Sequence, residues 1–309
     1  HTISFSIGLV RADAVDADGA DLQRNAAIAL KRAKVAGPGN DAYYTAEVGV
    51  LTRQRVHMLH DLRSALDNRD LFVVYQPQID LASGAVVGIE ALLRWRTAAG
   101  EFVPLDQLIP VAEQSGLIVA VGSWVLRTAL AAQRELAARG YPLRMAVNVS
   151  PVQFRQPGFL DVVRDAIAES AIDPGLLELE ITESVALSGW VQIVERMHAI
   201  KALGALIAID DFGTGFSSLS YLARLPADCL KIDRSFVHAL DDQHSGTPIA
   251  AMVIQLGKQL GMRVLAEGVE DCGQLQTLVD LGCHEAQGMV YAPAMAQQDL
   301  LVWLGNRER

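Results

Sequence analysis

One rhythm governs this chain from Leu71 onward. A short apolar stretch is followed by a polar residue at or just past its end, then by a helical stretch. The strand-like segments are Phe72–Gln76, Val86–Leu92, Arg144–Val149, Leu177–Ile181, Leu206–Ile209, Cys229–Ile232, Arg263–Ala266 and Ala286–Val290. Between them, apolar residues recur at helical spacing over Asp106–Gln114, Val119–Ala138, Leu160–Glu169, Val191–Leu203, Thr247–Leu260 and Gly273–Leu281. Eight strands alternating with helices specify an α/β chain folded as a (β/α)8, TIM-like barrel. The first two strands are separated only by Ile79–Ala85, around Ser83-Gly84. That is too short for a crossover helix, so this pair is expected to run antiparallel and to modify the barrel there.

The segment before this rhythm reads differently. Thr2–Val10 alternate as a strand, Asp21–Val35 repeat at helical spacing, and Asp41–Thr45 form a second strand after the Gly37-Pro38-Gly39-Asn40 turn. One helix and two strands bury too little to fold alone. The segment resembles the C-terminal end of a GGDEF (diguanylate cyclase) domain, through S-I-G-L-V at Ser6–Val10 and A-L-K-R-A-K-V-A-G at Ala29–Gly37. The Gly-Gly-Asp-Glu-Phe signature itself is missing from the chain. Residues 1–47 are therefore expected to be a remnant of such a domain. Residues 48–70 would be a linker, helical over Gln54–Asn68, and residues 71–309 the barrel.

Chemistry in such barrels sits at the C-terminal ends of the strands. There the chain places Glu90, Asn148, Glu180 with Glu183, the pair Asp210-Asp211, Lys231 with Asp233, Glu267 with Glu270, and Gln287. Adjacent carboxylates repel, and a divalent cation relieves them. Oxygen ligands without clustered histidine or thiolate select Mg²⁺ or Mn²⁺ over zinc. The carboxylates outnumber the needs of one such ion. Two ions about 4 Å apart, bridged by one aspartate, would use them better and would suit phosphodiester cleavage by an activated water. Lys231, in an otherwise apolar strand, could orient that water; the competing reading is a buried structural ion pair.

The formal net charge of -10 argues against a DNA partner. Three cysteines without a C-x-x-C pair suit a reduced, cytoplasmic setting. No apolar run approaches the ~20 residues of a membrane span, so no membrane contact is expected from this segment.

With these residues in place, the chain from Leu71 to Asn306 resembles an EAL domain, the cyclic di-GMP phosphodiesterase family. The resemblance is carried by Y-Q-P at Tyr75–Pro77, E-A-L-L-R-W at Glu90–Trp95, V-N-V-S at Val147–Ser150 and E-I-T-E-S at Glu180–Ser184. It continues through D-D-F-G-T-G at Asp210–Gly215, K-I-D at Lys231–Asp233, E-G-V-E at Glu267–Glu270 and Q-G at Gln287–Gly288. The resemblance implies two Mg²⁺ or Mn²⁺ ions. Glu90, Asn148, Glu180 and Asp210 would hold the first, and Asp210 and Asp211 the second. Lys231 and Glu267 would position the attacking water. Arg94 would meet a substrate phosphate, and Gln76, Leu92 and Gln287 would line the guanine and sugar region. Glu183 and Glu270 would steady the loop Phe212–Leu222; the alternative for both is helix capping. Met289 stands where the family often has an aromatic residue. The implied activity is hydrolysis of cyclic di-GMP to linear pGpG. The alternative is an inactive receptor for the same ligand, signalling through its dimer. A homodimer and an upstream sensory or GGDEF module are the partners the resemblance implies.

Overall fold

The computed structural model describes residues 4–11, 19–45, 57–66, 68, 70–97, 99–183, 185, 190–213, 222–241 and 247–307. The chain divides into two compact units, His1–Asn68 and Arg69–Arg309.

In the first unit, β1 (Ile7–Leu9) and β2 (Asp41–Tyr43) pair in parallel, joined through the helix Gly19–Val35. Ala29 and Ala33 are the buried residues of that helix's inner stripe, with Asn25 one turn before. Gly8 lets the helix close on the strand: a Cβ there would lie 2.2 Å from the backbone nitrogen of Leu30. Within the expected helix Gln54–Asn68, residues 57–66 are helical and 54–56 lie outside the described residues.

The second unit is a closed barrel. Its strands are β3 (Leu71–Asp80), β4 (Val86–Trp95), β5 (Arg144–Val149), β6 (Leu177–Thr182), β7 (Leu206–Phe212), β8 (Cys229–Ile232), β9 (Arg263–Ala266) and β10 (Glu285–Ala286). β3 runs antiparallel to both β4 and β10, and the other neighbours are parallel. The short connection between β3 and β4 thus makes a hairpin, as its length requires. Asp80 closes it by accepting hydrogen bonds from the backbone and hydroxyl of Ser83, and Gly84 takes a φ of +70°.

The last strand departs from the expected Ala286–Val290. It ends at Ala286, and the chain then turns around Val269, whose backbone pairs with Gln287 and Val290. Gly288 makes this turn feasible, because a Cβ there would lie 2.1 Å from the carbonyl oxygen of Val269. Helices pack outside the barrel. Leu108 and Ala112 of Leu105–Ser115, and Val121, Leu130 and Leu136 of Ile118–Ala138, are buried. Among the described residues no single helix is long and apolar enough to cross a membrane.

Candidate active site

The parallel register brings the strand ends to one rim, and alternation turns every second side chain inward. Glu90 on β4, Glu180 on β6, Asp210 on β7, Lys231 on β8 and Glu267 after β9 meet there. Lys231 is 1% exposed. Its Nζ lies 2.5 Å from Glu267 Oε1, 2.7 Å from Glu180 Oε1, 3.3 Å from Asp210 Oδ1 and 3.7 Å from Glu90 Oε1.

One ammonium cannot neutralise four carboxylates. The strain shows in their proton affinities. Burial, then the charges of Glu90 and Asp210, push Glu180 well above the usual carboxylate range, against the pull of Lys231. Burial, then the charges of Asp210 and Glu90, raise Glu267 to about 8, although Lys231 pulls the other way. Glu90 also suffers burial, yet Lys231 and donors including Gln287 and Asn148 hold it below the usual value. Burial opposes the charge on Lys231, but its four carboxylates win and its pKa rises. Both oxygens of Glu180 lack a hydrogen-bond donor in good geometry.

The pair Asp210-Asp211 depends on an irregularity. Consecutive residues of a strand point to opposite faces. The register of β7 against β8 shifts between Ile209 and Phe212, and Asp211 takes a φ of +54°. Asp210 Oδ1 accepts a hydrogen bond from the backbone N–H of Asp211. The bulge lets Asp210 face Lys231 while Asp211 lines the adjoining cavity. Burial and the charge of Asp210 raise the pKa of Asp211.

Asn148 Nδ2 donates to Glu90 Oε1 at 2.6 Å, which turns its carbonyl oxygen away from that carboxylate. Among the described residues no three Asp, Glu, His or Cys side chains form a ready ligand cluster. The ammonium of Lys231 lies within 3.7 Å of all four rim carboxylates. The donor set nevertheless fits hard cations: carboxylates in excess of the one ammonium among them, and an amide oxygen beside them.

Beside Asn148 and Asp211 opens a cavity of about 790 Å³, lined by Leu92, Leu105, Ile109, Ile118 and Val121. Leu92 forms part of that cavity's wall. Arg94 is half-buried and its Nη1 donates to the carbonyl of Leu93. Gln76 and Gln287 are both bonded within the protein: Gln76 donates to the carbonyl of Ala292, and Gln287 donates to Gln76 and to Glu90. Glu183 accepts from the backbone N–H of Gly213, where the loop begins. The loop itself, over 214–221, lies outside the described residues. Glu270 faces outward and pairs with His238 at 3.4 Å, apart from the rim cluster. Met289 is exposed.

Sequence reasoning missed the polar layer beneath the rim: Gln78, Arg144, Glu178, Arg263 and Glu285. The signal was present, since Gln78 and Glu178 share inward parity with Gln76 and Glu180.

The EAL domain model matches residues 59–294. The chain belongs to the EAL domain family. It is 37% identical over 300 residues to the bifunctional diguanylate cyclase/cyclic di-GMP phosphodiesterase MucR of Pseudomonas aeruginosa, covering 97% of this chain and 44% of MucR. It is 36% identical over 285 residues to the cyclic di-GMP phosphodiesterase NbdA of the same organism, covering 91% of this chain and 36% of NbdA. The chain thus spans less than half the length of either relative. Among solved structures, the PaMucR phosphodiesterase in complex with c-di-GMP superposes with a TM-score of 0.77 at 40% identity, over 79% of this chain and 99% of that one.

Proposed function

We propose that this EAL domain hydrolyses cyclic di-GMP to linear 5'-pGpG with two Mg²⁺ or Mn²⁺ ions. The observation that carries the proposal is the convergence of Glu90, Glu180, Asp210 and Glu267 on the single ammonium of Lys231. The names of MucR and NbdA support it, as does the c-di-GMP complex of the superposed phosphodiesterase.

Glu90, Asn148, Glu180 and Asp210 would hold one ion, and Asp210 with Asp211 the other. Bound there, the ions would lower the pKa of a water and offset charge on the phosphoryl oxygens. The chain's own groups do the rest. Lys231 orients the attacking water and meets charge that develops in the transition state. Glu267 accepts a hydrogen bond from that water. Water adds to phosphorus as the bond to the 3' oxygen breaks, and the 3' hydroxyl carries away a proton. The cavity beside Asn148 and Asp211, walled by Leu92, offers apolar surface to a base, and its volume falls within the range of small-molecule sites. Arg94 supplies the cation for a phosphate. Glu183 ties the start of the Phe212–Leu222 loop to β6, and Glu270 would steady that loop from outside the rim cluster, through its partner His238.

The first unit we read as the end of a GGDEF domain upstream in the same protein. The alignment with the bifunctional MucR supports this, because it covers 97% of the chain. The domain would act as a homodimer in the cytoplasm.

The test is direct. Purified protein is incubated with cyclic di-GMP and Mn²⁺, and products are resolved by chromatography. Stoichiometric pGpG is expected. Ligand retained intact would overturn hydrolysis in favour of a receptor.

A further inference from the structure

Below the catalytic rim the barrel interior holds a closed ring of charges that the reaction does not use. Arg144 pairs with Glu178 at 3.3 Å and with Glu285 at 2.5 Å, and Arg263 pairs with the same two carboxylates. Two arginines and two glutamates balance. The ring therefore has no excess charge to offer a ligand.

Among the described residues, Gln78 links this ring to the rim. Gln78 on β3 is 0% exposed. Its Oε1 accepts from Arg144 Nη2 at 3.0 Å. Its Nε2 donates to Gln287 Oε1 at 3.1 Å. Gln287 is itself 3% exposed, and its Nε2 donates to Gln76 Oε1 at 3.0 Å and to Glu90 Oε2 at 2.5 Å.

An amide can present either end, but arginine can only donate. Arg144 therefore fixes the carbonyl end of Gln78 toward itself. The amino group of Gln78 must then face Gln287. Gln287 in turn must offer its carbonyl to Gln78 and its amino group to Glu90. The polarity of the two amides, Gln78 and Gln287, thus runs in one sense from Arg144, which can only donate, to Glu90, which can only accept. With Asn148 donating to the other oxygen of Glu90, both oxygens of that carboxylate are held by amides.

We propose that Gln78 is a positioning residue for the metal site, orienting Glu90 through Gln287. This rests on the reading of Glu90 as a metal ligand. Groups that orient a ligand in this way typically change metal affinity by about 10–100-fold when removed.

Two variants probe it. Gln78→Met keeps a similar volume but removes both hydrogen bonds. Gln78→Glu keeps the volume and the bond to Arg144 but, ionised beside that guanidinium, cannot donate to Gln287. Mn²⁺ binding to the metal-free protein is measured by titration calorimetry, with folding followed by circular dichroism. Each variant that folds is expected to bind Mn²⁺ about 10-fold or more weakly than the parent. In a Gln287→Ala background the same changes are expected to add less than twofold, because the link is already cut. Affinity within twofold of the parent in a folded Gln78→Glu protein would overturn the proposal. So would an undiminished effect in the Gln287→Ala background. Glu90→Gln serves as the control: if it binds Mn²⁺ normally, the metal reading fails as well. If Glu90→Gln loses Mn²⁺ while Gln78→Glu keeps it, only the role of Gln78 is refuted.

Discussion

Glu180 and Lys231 face each other across the barrel rim at 2.7 Å, both almost wholly removed from solvent. The pair is not self-sufficient, because three further carboxylates crowd the same ammonium. Removing the lysine leaves them uncompensated, and cations become the remaining counter-charge. Lys231→Met is expected to unfold at lower temperature than the parent in EDTA, by several kcal/mol of stability. Added Mn²⁺ should restore most of the loss. Its turnover should stay at least about 10²-fold below the parent even when metal-saturated, since orientation of the water is gone. Melting curves and single-turnover rates decide it. Near-parental turnover would remove Lys231 from the chemistry.

Glu90→Gln keeps the shape of the side chain and its place beside Gln287 and Asn148, but removes the anion. Turnover should fall by at least about 10³-fold, with the melting temperature unchanged or raised. Chromatographic assay of pGpG at saturating Mn²⁺ checks this. Retained activity would displace Glu90 from the metal site.

The crowded carboxylates give the metal-free protein a pH dependence of definite sign. Glu180 and Glu267 have folded-state pKa values above their unfolded ones, the latter reaching about 8. The folded state then binds more protons than the unfolded state, so stability falls as pH rises. The contribution is full below the unfolded value near 4.5 and is lost on approaching 8. Melting temperature in EDTA should therefore drop between pH 5 and pH 8. Glu267→Gln should flatten the drop, and saturating Mn²⁺ should abolish it. A flat profile for the metal-free parent would contradict the crowding.

Asp211 occupies a left-handed backbone conformation that glycine adopts without cost. Asp211→Gly should hold stability within about 1 kcal/mol while lowering turnover strongly. Denaturant titration alongside the activity assay separates the two. A large loss of stability would mean that the side chain holds the bulge.

Gly288→Ala should behave in the opposite way. The added carbon would meet the backbone of Val269, which cannot step aside as a side chain can. A loss of about 2–4 kcal/mol is expected, with Gln287 displaced and Mn²⁺ binding weakened. Thermal melts and Mn²⁺ titration of this variant provide the check.

The amino-acid order by itself determined the barrel and most of the rim. Apolar strands repeating with helices leave few architectures, and the polar residue ending each strand marks the face on which chemistry gathers. The antiparallel start followed from a connection too short for a helix. What only the tertiary structure decided lies in distances between strands remote in sequence. Lys231 gathers carboxylates from β4, β6, β7 and the end of β9, a convergence set by barrel closure and register. The β7 bulge that separates the tasks of Asp210 and Asp211 has no unique local signature. The Gln78–Gln287 link joins residues more than 200 positions apart, so neither periodicity nor motif could reveal it. The shortness of β10 was likewise hidden, because its end is imposed by the close approach of Gly288 to Val269. Local pattern selects elements, whereas side-chain partners across a closed sheet depend on how all its strands are staggered.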